Sequence, residues 1–251
     1  MIISFNQPAF IPWGGFFARL VGSDKMILLD ETLLARGFTF VNRNRLKGPQ
    51  GEIWLTVPLK RKGRGRQKIE ELEIYEKTRW TRNLLLTLQH NYGKSLYFEP
   101  IIKDIRGIVN APGEHFLPTA LALIKVIQKG LAIGTEFILQ SEIGIRGNGT
   151  ALLVSVAKEL GAEKVILPYF SEKNIECERF RKEHIQIQFL RYDPPQYPQF
   201  WGSFIKNLSA LDLLLCCGQD GKKIIEKGTY IYETVSTPEC PGSSSRLRGR
   251  T

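Results

Sequence analysis

Apolar and polar positions recur with two periods along this chain, and the switches between them predict its elements. Ile2-Ile3-Ser4-Phe5 is a short apolar run that reads as a buried strand. From Trp13 to Val21 the apolar residues Phe16, Phe17 and Leu20 fall at helical spacing. Asp24 closes a turn before a second apolar run, Met26-Ile27-Leu28-Leu29, which stops at Asp30. Strand, helix and strand in such short succession predict a βαβ unit with a parallel pair.

The same reading continues downstream. Ile53-Trp54-Leu55-Thr56-Val57 is β-rich and stopped by Pro58, so a strand is expected there. The polar, basic stretch Asn42-Arg43-Asn44-Arg45 reads as a connection. Trp80, Leu84, Leu85 and Leu88 give residues 78–89 one apolar helical face, ended by Asn91-Tyr92-Gly93. Residues 97–109 and 115–128 are expected to be two further helices. Residues 137–141 read as a strand leading into a Gly-rich loop. Residues 150–160 form a helix stopped by Gly161, and 164–167 a buried strand stopped by Pro168. Residues 185–189 alternate with period two, and 208–217 read as a helix ending at Gly218.

The expected class is therefore α/β: a mostly parallel sheet with a Rossmann-like βαβ opening, flanked by helices, plus a helical middle segment. One domain is expected over residues 1–237, with the helical insertion at about 78–130. Residues 238–251, with three serines in a row and three arginines, are expected to be a disordered basic tail.

Composition narrows the partners. Hydrophobic content of 43% and charged content of 24% suit a soluble globular protein. The opening Met-Ile-Ile-Ser-Phe-Asn-Gln-Pro has no basic start or long apolar core, and no later run approaches a membrane span. A cytoplasmic protein without a transmembrane segment is expected. Cys177, Cys216, Cys217 and Cys240 form no Cys-x-x-Cys pair, which disfavours a zinc site or a disulfide framework. No His, Cys or carboxylate triple has metal-ligand spacing, so neither metal nor cofactor is expected.

The net charge of +10 is uneven. Residues 36–82 hold thirteen Lys/Arg against five Glu, or +8, peaking at Lys60-Arg61-Lys62-Gly63-Arg64-Gly65-Arg66. That stretch reads either as a solvated loop or as a cradle for an anion: a nucleotide-sugar or other phosphate-bearing small molecule, with nucleic acid less favoured. Few aromatics interleave with the basic peak, which counts against stacking on single strands.

Candidate site residues sit at expected strand and helix ends. Asn6 and Gln7 follow the first strand, where open parallel sheets bind ligands; the alternative is a turn stiffened by Pro8 and Pro12. Trp13-Gly14-Gly15 opens a helix, either to admit an anion or to allow close packing. Asp30 either orients a sugar hydroxyl or caps the next segment. Arg43 and Arg45 suit phosphates or carboxylates, and Lys60 is positioned to join them. His90 is the best-placed proton carrier, with Tyr92 and Lys94 beside it; the alternative is a cation at a helix C-terminus. Ser141 offers a hydroxyl to a ligand or caps a helix, and no Gly-x-Ser-x-Gly elbow surrounds it. Catalysis is assigned to His90 and Asp30. Substrate binding is assigned to Asn6, Gln7, Trp13, Arg43, Arg45, Lys60, Tyr92, Lys94 and Ser141.

Several ordered blocks resemble the WbqC-like protein family. They are Asn6-Gln7-Pro8-Ala9-Phe10-Ile11-Pro12-Trp13-Gly14-Gly15-Phe16-Phe17, Asp24 with Met26 to Asp30, Asn42-Arg43-Asn44-Arg45-Leu46 and Trp54-Leu55-Thr56-Val57-Pro58. Tyr92-Gly93-Lys94, Ser141-Glu142-Ile143, Leu160-Gly161-Ala162 and Asn207 to Leu214 continue the resemblance, which spans about residues 2–225. It implies an accessory role in polysaccharide or O-antigen biosynthesis, in which an acyl or aminoacyl group moves onto a nucleotide- or lipid-linked amino sugar. The alternative is a non-catalytic binder of an anionic ligand, a sugar-nucleotide or RNA, through the basic 36–82 region. Two departures stand out. Family members often carry His before the first Gln-Pro, where this chain has Asn6, and Leu167-Pro-Tyr-Phe-Ser-Glu replaces a Gly-rich stretch.

Overall fold

The computed structural model describes residues 1–111 and 113–233; the expected tail at 238–251 lies outside the described residues. Among these residues no helix is long and apolar enough to cross a membrane.

The opening unit forms as the pattern predicts. Strand β1 (Ile2–Asn6), helix α1 (Gly14–Val21) and strand β2 (Lys25–Leu28) make a βαβ crossover, with Ser4 beside Met26 in a parallel pair. Next comes a hairpin of β3 (Arg43–Gly48) and β4 (Gly51–Thr56). The stretch read as a polar connection is thus the start of a strand. Its period of two is present, with Asn44 and Leu46 buried and Arg43 and Arg45 half-buried, but the inward residue is polar, which hides the alternation.

Three helices follow: α2 (Lys77–Tyr92), α3 (Phe98–Asn110) and α4 (Phe116–Gly130). Helix α2 continues through Asn91 and Tyr92, because both are buried and helical; Gly93 ends it. Strand β5 (Glu136–Leu139) runs into the single turn α5 (Gln140–Ile143), then α6 (Gly149–Glu159), β6 (Lys164–Pro168), α7 (Cys177–Lys182) and β7 (Gln186–Tyr192). Helices α8 (Ala210–Cys217) and α9 (Gly221–Lys227) lead to the last strand, β8 (Thr229–Glu233).

The main sheet has six strands in the order β5-β2-β1-β6-β7-β8, all parallel except the antiparallel β7–β8 pair. Side chains alternate across it, and each face is covered by helices. Ile3, Phe5, Ile27, Val165 and Phe189 pack with Leu152 and Val156 of α6 and Phe180 of α7. Met26, Leu28, Ile166 and Leu190 pack on the other face with Phe16, Phe17 and Leu20 of α1, in a core that extends to α2–α4 and α8. This is a doubly wound α/β architecture. The mostly parallel sheet and its flanking helices are as the periodicity predicts.

Candidate functional site: a cleft at the switch point of the sheet

From β1 the chain winds outward through β2 to β5, then returns on the other side of β1 as β6. The carboxyl ends of β1 and β6 therefore diverge, and open α/β sheets leave a crevice at such a point. Here it is a cleft of about 710 Å3. Asn6 and Gln7 line it from the end of β1, and Leu167 and Pro168 from the end of β6. Phe40, Asn44 and Arg45 close it from the hairpin side, and Phe170 from the turn after β6.

The cleft also exposes one edge of α1. Arg19 lines it, yet Arg19 is only 2% exposed. Its guanidinium Nη2 donates to the Asn6 side-chain oxygen at 2.5 Å, while Nε is buried with no hydrogen-bond partner. Among the described residues no carboxylate pairs with it. Burial lowers its pKa to about 10, so it stays charged at neutral pH. Asn6 is suited to this neighbour. An amide oxygen accepts from the guanidinium at any pH, whereas an imidazolium there would repel it. The Asn6 amide nitrogen meanwhile points to the sulfur of Met26 at 3.7 Å.

The turn between β1 and α1 is held under strain. Ile11 has a φ of 37°, rare for a β-branched residue. Its carbonyl accepts from Asn44 Nδ2 at 2.9 Å and from Ser209 Oγ at 2.6 Å, which pins the turn. Gly14 and Gly15 serve packing: a Cβ on Gly14 would lie 2.6 Å from the Tyr192 ring, and one on Gly15 2.5 Å from the Trp13 ring.

The structure brings some expected residues together and separates others. Asn6, Gln7, Trp13 and Arg45 all line the cleft, and Gln7 donates to Thr32 Oγ at 3.0 Å. Arg43 lies on the same strand as Arg45, its guanidinium 5.3 Å from the Phe38 ring centre. Asp30 is buried and both its oxygens accept from Ser141, from the amide at 3.1 Å and the hydroxyl at 2.6 Å. Lys60 is paired with Glu73 at 3.0 Å and with Glu114, which raises its pKa. His90 is exposed and lines a separate groove with Gln50 and Glu52. Lys94 is exposed just beyond the end of α2.

Tyr92 lies wholly inside the protein. Its hydroxyl accepts from the Lys47 amide at 2.9 Å and donates to Asp212 at 2.5 Å. Asp212 also accepts from Tyr197 at 2.8 Å and Gln199 at 3.2 Å. Burial pushes the Asp212 carboxyl up, against the hydrogen bonds that hold it down. The buried Lys47 ammonium donates to Gln199 and to the carbonyls of Gly202 and Ser203. This network ties β3, α2 and α8 into one block. Asp212 thus serves two buried tyrosines from within a run of core leucines.

Arg19 was not singled out from the sequence. The available signal was an arginine inside the apolar run Phe16-Phe17-Ala18-Arg19-Leu20, flanked by residues that must be buried. Among the described residues no group of three or more His, Cys, Asp or Glu is placed to hold a metal ion.

Fold and cleft together define a doubly wound α/β protein with a crevice at its switch point that a buried arginine lines. The chain belongs to the WbqC-like protein family, whose profile matches residues 7–224. It is also similar to the uncharacterized protein Rv1507c of Mycobacterium tuberculosis (strain ATCC 25618 / H37Rv), at 28% identity over 221 residues, covering 87% of this chain and 94% of that protein. No solved structure matches the chain.

Proposed function

We propose that the cleft binds a nucleotide- or lipid-linked amino sugar through its phosphate, and that the protein transfers an acyl or aminoacyl group onto that sugar. In this reading it is a cytoplasmic transferase of polysaccharide or O-antigen biosynthesis. The observation that carries the ligand class is Arg19: a fully buried guanidinium, without a carboxylate among the described residues, facing a cleft at the strand ends. An unpaired buried cation costs several kcal/mol, and an incoming anion offsets that cost. The family resemblance supports the choice of amino sugar and of group transfer.

Transfer to an amine requires that a proton leave the nucleophile. Among the described residues, those lining the cleft include no His, Asp, Glu or Cys. That favours a second reading, a non-catalytic binder of the same anionic ligand.

Arg19→Met tests the shared premise. Without ligand, the variant melts at or above the wild-type temperature, because a buried charge is replaced by an apolar chain of similar length. Thermal shifts with sugar nucleotides or pyrophosphate shrink, reflecting an affinity loss of about 10- to 150-fold from the charged hydrogen bonds. An unchanged ligand shift in Arg19→Met sinks the proposal. Mass spectrometry of the sugar after incubation with acyl donors then separates the readings, since only the transferase leaves an acylated amine.

A further inference from the structure

Beside the cleft, the segment before β3 and the hairpin present three large rings to solvent. Phe38 is 58% exposed, Phe40 47% and Trp54 43%. They touch one another, with ring centres 5.1 Å apart for Phe38–Phe40, 5.3 Å for Phe38–Trp54 and 6.0 Å for Phe40–Trp54. Two arginines lie over them: Arg43 is 5.3 Å from the Phe38 centre and Arg45 5.5 Å from that of Trp54. A cluster of exposed rings is unusual on a monomer surface and marks a binding site. The patch is continuous with the cleft, because Phe40 and Arg45 belong to both.

We propose that this platform is the base-stacking subsite of the cleft, so that the ligand is a nucleotide with its phosphates on Arg19 and its base on Phe40 and Trp54. The assignment rests on the anion-binding reading of the cleft. Aromatic faces interleaved with guanidinium planes suit a nucleobase, whose flat π surface stacks on both. An acyl chain gains nothing from the two arginines, and a bare phosphate gains nothing from the three rings. Charge points the same way. Arg45 is paired with Glu52 at 2.6 Å, but Arg43, like Arg19, has no carboxylate partner among the described residues, so the cleft and its rim still carry two cations to meet a ligand's negative charge. A volume of about 710 Å3 falls in the range of pockets that enclose ligands of this size.

Calorimetric titration with uridine diphosphate, adenosine diphosphate and pyrophosphate tests this on the full chain. A nucleoside diphosphate is expected to bind about 5- to 150-fold tighter than pyrophosphate. Trp54→Ala, at an exposed position that does not line the cleft, erases that advantage and leaves pyrophosphate affinity intact, and Phe40→Ala erases the advantage as well. Two outcomes overturn the assignment: both variants bind nucleotide as the wild type does, or nucleotides bind no tighter than pyrophosphate. If pyrophosphate still binds and needs Arg19, the stacking subsite alone falls. If neither ligand binds, the anion-binding reading falls with it. A short single-stranded oligonucleotide that binds more tightly than the mononucleotide and needs Phe38 also overturns the single-nucleotide assignment.

Discussion

Tyr92 shows how much one hydroxyl can organise. It receives the Lys47 amide and gives its proton to Asp212, so the hairpin, α2 and α8 meet at one oxygen. Tyr92→Phe keeps the ring and leaves a buried amide and a buried carboxylate each one partner short. We expect a loss of about 1–3 kcal/mol in urea unfolding. A loss within error of zero would show that water replaces the hydroxyl. From sequence, Tyr92 looked like a candidate for ligand contact because it neighbours His90 and Lys94; only folding reveals that it points inward. Arg19 is the opposite case. It sat unnoticed in an apolar helix because periodicity counts it as one polar interruption, and its meaning comes from Asn6 and the cleft beside it.

At the scale of elements, α1 packs so closely on β7 that its first residue has no room for a side chain. Gly14→Ala places a methyl against the Tyr192 ring, which is braced by Trp13 at 5.7 Å between centres. Helix propensity favours alanine by up to about 1 kcal/mol, while overpacking costs about 1–3 kcal/mol. The clash wins, and thermal melting is expected to show a destabilised variant; equal or higher stability would mean the ring swings away freely. The Gly-Gly pair was legible as important, but an anion site and tight packing predict the same two letters. The hairpin was half legible. Strand β4 carries β-formers, whereas β3 carries arginine and asparagine whose partners, Ile11 and the exposed rings, lie elsewhere in the chain.

Across the whole molecule, part of the basic stretch is tied to nearby acids. Lys60 and Arg64 share Glu73, Glu114 joins from the segment before α4, and Lys68 pairs with Glu31 and Glu70. Hydrogen bonds from Arg64 and then Lys60 lower the Glu73 pKa to about 2. A carboxylate with a depressed pKa contributes stability above its ordinary value near 4.5, and that contribution fades as pH falls through about 2. The loop at residues 60–66 should therefore stay tied well below the pH at which ordinary carboxylates protonate. Glu73→Gln removes the shared acid at neutral pH. Trypsin is expected to cut between Lys60 and Arg66 faster in this variant, and an unchanged cleavage rate would show that Glu114 alone holds the loop.

What the sequence by itself determined is the kind of sheet and most of the elements that build it; β3, α7, α9 and β8 emerge only in the fold. Strands β1, β2 and β6 and the helices around them announce themselves because their burial is one-sided or complete, and periodicity records burial directly. It also placed Asn6, Gln7, Trp13 and Arg45 near strand or helix ends that turn out to share one cleft. Tertiary structure alone decided which arginine is buried without an acid, which rings stay exposed, and that β6 returns beside β1 to open the crevice. Those properties depend on residues far apart in sequence, and no local period carries information about them.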